Sequence, residues 1–200
     1  MNSRNALRAF LWSAVGLVIV LAVSLVLLNR EQAPQMAAAE PYGGPFQLTN
    51  GAGETVTDAS LAGHPYAVFF GFTRCPDVCP TTLAELAVLI NDLGPDAQKI
   101  DFLFVSVDPE RDTPAEAAAY AAAFSDRIEG LGGTVEQVRA MTDAYGIYTE
   151  RVDLGDGDYT IDHTASVLLI DADGQFAGAI GFTDPRDEAL AKLRRLAASA

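Results

Sequence analysis

The sequence predicts an α/β domain in which a mixed central sheet is flanked by helices. Two largely apolar runs, Tyr66 to Phe72 (YAVFFGF) and Asp101 to Val107 (DFLFVSV), are strands of the kind buried on both faces. The helical pattern between them makes them a parallel pair joined by a right-handed crossover. A later hairpin, Ser166 to Ile170 and Gln175 to Phe182 around Asp171-Ala172-Asp173-Gly174, adds antiparallel strands.

The elements follow in order. Phe46 to Thr49 and Glu54 to Thr57 flank Asn50-Gly51-Ala52-Gly53 as a short hairpin. After the strand at 66–72, Leu83, Leu86, Ala87, Ile90 and Leu93 recur at helical spacing until Gly94-Pro95 stops the helix. Beyond the second strand, Thr113-Pro114-Ala115-Glu116 opens a helix with Thr113 as N-cap, Pro114 at N1 and Glu116 closing a capping box. The alanine-rich stretch 115–124 favours helix strongly. Gly132-Gly133 breaks the chain, and Thr134 with Gln137 repeats the capping box for a helix through about Tyr145. Ile147 to Val152 and Tyr159 to Ile161 are strands around the loop LGDGD, and a last helix starts at Asp184-Pro185. Lys192, Arg194 and Arg195 lie near that helix's negative end. This order of elements fits a thioredoxin-like sheet best.

One end of the chain differs. Phe10 to Leu28 is nineteen residues without a charge, and with Ala9 it reaches the roughly 20 apolar residues that cross a bilayer as a helix. Arg4 and Arg8 precede the run, while Arg30 and Glu31 nearly cancel beyond it. The positive-inside rule therefore places the N-terminus in the cytoplasm and the rest outside. The competing reading is a cleaved signal peptide ending near Ala37-Ala38-Ala39, although the apolar run exceeds the usual h-region of about 7–15 residues. Both readings export the remainder. The expected organisation is an anchor at 1–29, a flexible tether at 30–45 and a folded domain at 46–200, on the periplasmic side of the inner membrane.

Composition narrows the function. The 200 residues hold 13 Lys+Arg against 27 Asp+Glu, a net charge of −14, so nucleic acid is excluded as a partner on charge grounds. Two cysteines and two histidines rule out a multi-disulfide scaffold, a four-cysteine zinc site and a four-cysteine iron–sulfur cluster. A domain of about 160 residues buries close to 70% of its unfolded surface and needs no staple. The only cysteine pair is therefore free for chemistry.

That pair stands in Gly71-Phe72-Thr73-Arg74-Cys75-Pro76-Asp77-Val78-Cys79-Pro80, between a buried strand and a helix. Such strand ends are where α/β proteins place their sites. Spacing of i and i+4 brings both sulfurs to one side of a helical turn. With Pro80 at N1, Cys79 becomes the N-cap, and the helix's positive end is expected to depress the thiol pKa values. A structural disulfide would close only a tiny loop, where loop-entropy stabilisation is small. Two sulfurs need a third metal ligand. His163, in Tyr159-Thr160-Ile161-Asp162-His163-Thr164, falls beside the cysteine turn in a thioredoxin-like sheet, whereas His64 before Pro65 is a solvated loop residue. Thiolates suit Cu(I) and imidazole suits Cu(I) and Cu(II), which favours copper. Zinc accepts the same ligands but usually takes a fourth when structural.

Three blocks, GFTRCPDVCPTTLAEL, VSVDPERDTP and YTIDHTASVLLIDADG, resemble the Sco/SenC copper-chaperone family across residues 45–198. The resemblance implies a thioredoxin-like fold and a role in assembling the CuA centre of cytochrome c oxidase subunit II. It also implies copper ligation by Cys75, Cys79 and His163, with Asp162 a supporting or partner-facing carboxylate and Pro80 shaping the metal loop. Asp77 would steer cations, bond loop amides or simply cap the helix. Asp108, Arg111 and Asp112 are taken as a structured turn without direct chemistry, and the acidic LGDGD loop as solvated.

Copper delivery to subunit II is the leading expectation. The alternative is a thiol–disulfide reductase, using Cys75 and Cys79 as catalytic thiols, that keeps the acceptor's cysteines reduced. A peroxiredoxin-like peroxidase or a redox sensor on the same fold is weaker, because it leaves copper ligation unexplained.

Overall fold

A computed structural model describes Trp12 and residues 42–200 of the chain. The predicted anchor at 1–29 and most of the tether at 30–45 lie outside the described residues. No helix among the described residues is long and apolar enough to cross a membrane.

Seven strands form the central sheet in the order β2-β1-β5-β4-β3-β8-β9. These are β1 (Gln47–Asn50), β2 (Thr55–Thr57), β3 (Tyr66–Gly71), β4 (Asp101–Ser106), β5 (Ile128–Gly132), β8 (Val167–Ile170) and β9 (Phe176–Ile180). Two further strands, β6 (Thr149–Gly155) and β7 (Asp158–His163), pair only with each other. Among residues 42–200 the α-helices are α1 (Val78–Leu93), α2 (Pro114–Ala122), α3 (Val135–Ala144) and α4 (Arg186–Ala197).

The centre of the sheet is what the apolar runs predict. All six residues of β3 are buried, and β3 runs parallel to β4 from Tyr66 opposite Asp101 to Gly71 opposite Ser106. Phe69, Phe70, Phe102 and Phe104 fill the core on either side of this pair. The two capping boxes at Thr113/Glu116 and Thr134/Gln137 are both formed. Helix α1 packs against α4, and α2 against β4 and β5.

Two departures from the sequence reading matter. Strand β5, parallel to β4 and antiparallel to β1, lies inside what reads as a break between helices. Its sequence, Ile-Glu-Gly-Leu-Gly, is too glycine-rich to announce a strand. Gly130 is there because α2 leans onto it: a Cβ would sit 2.2 Å from the carbonyl oxygen of Ala117. The second departure is the start of α1. The helix begins at Val78 after Asp77, so Pro80 stands at the third helical position and Cys79 at the second, not at N1 and the N-cap. Proline is tolerated there because the first four helical N–H groups have no intrahelical acceptor.

The antiparallel β8 places the site. Val167, its first residue, lies opposite Phe69 near the carboxyl end of β3. The residues just before β8 therefore arrive where those just after β3 depart. This brings the end of the β6–β7 hairpin to the cysteine loop.

Candidate metal centre

Gly71 ends β3, and the chain turns through Phe72 to Asp77 before entering α1. Within that turn the Cys79 N–H points at the Cys75 sulfur, with N···Sγ 3.3 Å. Neither cysteine is in a disulfide; Cys79 is fully buried and Cys75 half-buried. His163 closes the group from the end of β7. Its Nε2 is 3.3 Å from the Cys79 Sγ, and its Nδ1 is 3.0 Å from the Thr164 carbonyl oxygen. A carbonyl only accepts, so Nδ1 carries the proton and Nε2 presents a lone pair towards the sulfurs. The same contact orients the ring, as such bonds do for ligating histidines. Phe69 and Phe72 hold the imidazole edge-on, with ring centroids 6.1 and 5.9 Å away.

One ligand atom from each of Cys75, Cys79 and His163 lies within 4.8 Å of the other two. Two soft sulfurs and one imidazole nitrogen at this spacing, with Cys79 buried and Cys75 half-buried, form a group able to bind copper. It is the only group of three such side chains at this spacing among the described residues. His64 is exposed on the turn before β3, away from the sulfurs.

The thiol chemistry differs from the expectation of depressed pKa values. Burial, followed by the hydrogen bond with Cys75, pushes the Cys79 thiol well above its ordinary value. Cys79 has no access to water, and desolvation of a thiolate there outweighs the positive end of α1. In the metal-free protein Cys79 is therefore a neutral thiol whose proton must leave when a metal arrives.

Of the other predicted residues, Pro80 is half-buried in the first turn of α1. Asp77 occupies the N-cap position but its exposed side chain makes no capping bond. Asp162 is exposed on β7 opposite Glu150. The LGDGD loop is the solvated tip of the β6–β7 hairpin, as predicted.

Three features escape sequence reasoning. Gly71 leaves room for the sulfur, since a Cβ there would lie 2.9 Å from the Cys79 Sγ. Asp112, only 2% exposed, accepts from the Thr73 N–H at 2.9 Å, the Thr73 hydroxyl at 2.6 Å and the Ser106 hydroxyl at 2.6 Å. It thereby fixes the start of the cysteine loop. Tyr120 on α2 has a buried hydroxyl with no hydrogen-bond partner among the described residues; burial first, then the nearby sulfurs and Asp112, push its pKa up to about 12. The acidic residues of VDPERDTP were the available signal, because a carboxylate following a buried strand needs partners to remain buried.

The fold and site together define a thioredoxin-like domain with a Cys₂His group at one rim of its sheet. The SCO1/SenC family model matches residues 34–198, and the chain belongs to that family. "Protein SCO2, mitochondrial" of Saccharomyces cerevisiae is 40% identical over 155 residues, which cover 76% of this chain and 52% of the yeast protein. The chain thus spans about half the length of this curated relative. Among solved structures, Bradyrhizobium japonicum ScoI with copper bound is 46% identical with a TM-score of 0.72, covering 77% of this chain and 98% of that one. Yeast Sco1 with copper bound has 32% identity and a TM-score of 0.72, covering 80% and 90%.

Proposed function

We propose that this protein is a membrane-anchored metallochaperone that holds copper on Cys75, Cys79 and His163 and delivers it to the CuA site of cytochrome c oxidase subunit II. The observation that carries the reading is the convergence of two sulfurs and one imidazole nitrogen within 4.8 Å, from segments 84 residues apart in sequence. A structural histidine has no need of a thiol partner, and a bare dithiol has no need of an oriented imidazole. The copper-bound relatives support the choice of metal.

Each residue then has a task. Cys79 gives up its proton and supplies a shielded thiolate. Cys75, half-buried, is the sulfur an acceptor reaches first. His163 completes the set through Nε2, and its departure would leave the ion on two sulfurs, ready for exchange onto the acceptor's ligands. Asp77 and Asp162, both exposed, face the incoming partner, and Pro80 stiffens the turn below the metal. Residues 1–29 anchor the chain, with the domain on the periplasmic side.

A second reading, a dithiol reductase that keeps the acceptor's cysteines reduced, is favoured by the unbonded state of Cys75 and Cys79. An anaerobic copper titration of the full-length chain separates the two. His163→Ala is expected to weaken copper retention sharply while thiol–disulfide exchange at Cys75 and Cys79 survives. Equal retention with and without His163 contradicts the three-ligand reading. Cys75→Ser and Cys79→Ser abolish both activities and serve only to confirm the thiols.

A further inference from the structure

His163 sits on a hairpin that the rest of the fold holds weakly. Strands β6 and β7 are not bonded into the main sheet, and six of the seven residues of β6 are exposed. Tyr159 is the one buried residue of β7. Besides Ile161 against the core and the Phe69 and Phe72 rings around His163, the polar attachments that keep the histidine arm in place centre on Tyr159.

They lead to one turn. The Tyr159 hydroxyl donates to Asp108 at 2.7 Å, and the Tyr159 carbonyl accepts from Arg111 Nη1 at 2.9 Å. Arg111 Nε donates to the other oxygen of Asp108 at 2.5 Å, and its Nη1 also reaches Asp158 at 3.2 Å. The guanidinium carbons of Arg111 and Arg151 each lie 3.5 Å from the centroid of the Tyr159 ring. Two guanidiniums at that distance cannot share a face, so the ring is clamped between them. Arg151 in turn donates to Glu110 at 2.9 Å. The next residue of the same turn, Asp112, holds Thr73 at the start of the cysteine loop.

We propose that the turn 108–112 is the positioning element of the metal centre: Asp112 sets the cysteine arm, and Asp108 with Arg111 sets the histidine arm by clamping Tyr159. The inference rests on the Cys₂His reading above. Its physical basis is that a ligand constellation works only within about 0.5 Å of its productive geometry. Two arms far apart in the chain reach that tolerance when one rigid element holds both. Asp108 and Asp112 are each 2% exposed, and the side chain of Arg111 is 12% exposed, so the turn is shielded from competing water.

The test uses the full-length chain in detergent. Tyr159→Phe removes one bond of the clamp, Arg111→Gln removes its fork, and Thr73→Val loosens the cysteine arm. Val56→Ala, in the remote strand β2, is a control for general destabilisation. In the metal-free protein, amide exchange across 149–163 is expected to speed up at least tenfold in Tyr159→Phe and Arg111→Gln, with 73–79 unchanged. Thr73→Val is expected to show the reverse pattern. Copper affinity should fall by about 10–100-fold in all three, as for other residues that support a ligand, and the thiolate–Cu(II) absorption should shift. Val56→Ala should lower Tm with the absorption unchanged. Wild-type exchange over 149–163 in both clamp variants overturns the proposal, as does the same uniform rise across the domain in every variant. The exchange arm needs no metal. Failure of the wild-type chain to bind copper would instead overturn the Cys₂His reading.

Discussion

Replacing Gly71 by alanine tests whether the end of β3 is shaped around the sulfur. The added Cβ would meet the Cys79 Sγ at 2.9 Å, Phe104 Cε2 at 3.0 Å and Phe69 Cε1 at 3.1 Å. Both rings are fully buried and close-packed, so they yield little. The sulfur is the neighbour that moves, and any movement alters its 3.3 Å contact with His163 Nε2. Inserting a methyl into a packed core costs about 1–3 kcal/mol. For a domain of this size, each kcal/mol is worth about 2–4 °C, giving a fall in Tm of about 2–12 °C. Thermal unfolding of the metal-free chain, followed by circular dichroism, measures the first effect. A competitive Cu(I) titration measures the second, a weaker site. A Tm within about 1 °C of wild type together with unchanged copper affinity would refute the steric reasoning.

The buried Cys79 thiol gives a signed pH dependence. Its folded-state pKa is raised above the unfolded value of about 8.5, so its contribution to stability is complete below that pH. As pH rises further the unfolded chain loses the proton first, and stability falls by up to about 1.4 kcal/mol per pH unit. Urea unfolding of the reduced, metal-free chain from pH 7 to 10 should show this decline, and Cys79→Ser should flatten it; parallel slopes would contradict the assignment. Copper binding must expel the same proton, so apparent affinity should rise with pH over this range, and a pH-independent affinity would argue that Cys79 is not a ligand. Asp112→Asn turns a buried acceptor of three hydrogen bonds into a group that also donates. Leaving Thr73 or Ser106 unpaired should cost about 1–3 kcal/mol in urea unfolding, and a change below about 0.5 kcal/mol would show that the network adapts.

How far the sequence discloses this molecule depends on how local each cause is. Strands β3 and β4 are legible because burial on both faces requires unbroken apolar runs, and the capping boxes because four consecutive residues contain the whole signal. The proposed ligands Cys75, Cys79 and His163 are legible as residue types, and the antiparallel pairing of β8 with β3 explains why the histidine arrives at the sulfurs. Strand β5 is not legible, because its place in the sheet comes from its neighbours and from the close approach of α2 at Gly130, not from its own composition. The raised pKa of Cys79 is hidden for a related reason. A helix start is a local feature, whereas desolvation depends on Gly71, Phe69, Phe72 and Phe104 packing around it. The roles of Asp108, Arg111 and Asp112 lie in contacts that reach 39 to 51 residues along the chain, so a turn is all that sequence alone suggests.

Whether three side chains hold one ion is read most directly by copper K-edge X-ray absorption of the Cu(I)-loaded full-length chain. Two sulfur scatterers and one imidazole nitrogen are expected, with the nitrogen lost in His163→Ala. A wild-type spectrum that fits two sulfurs alone, unchanged by that substitution, would contradict it.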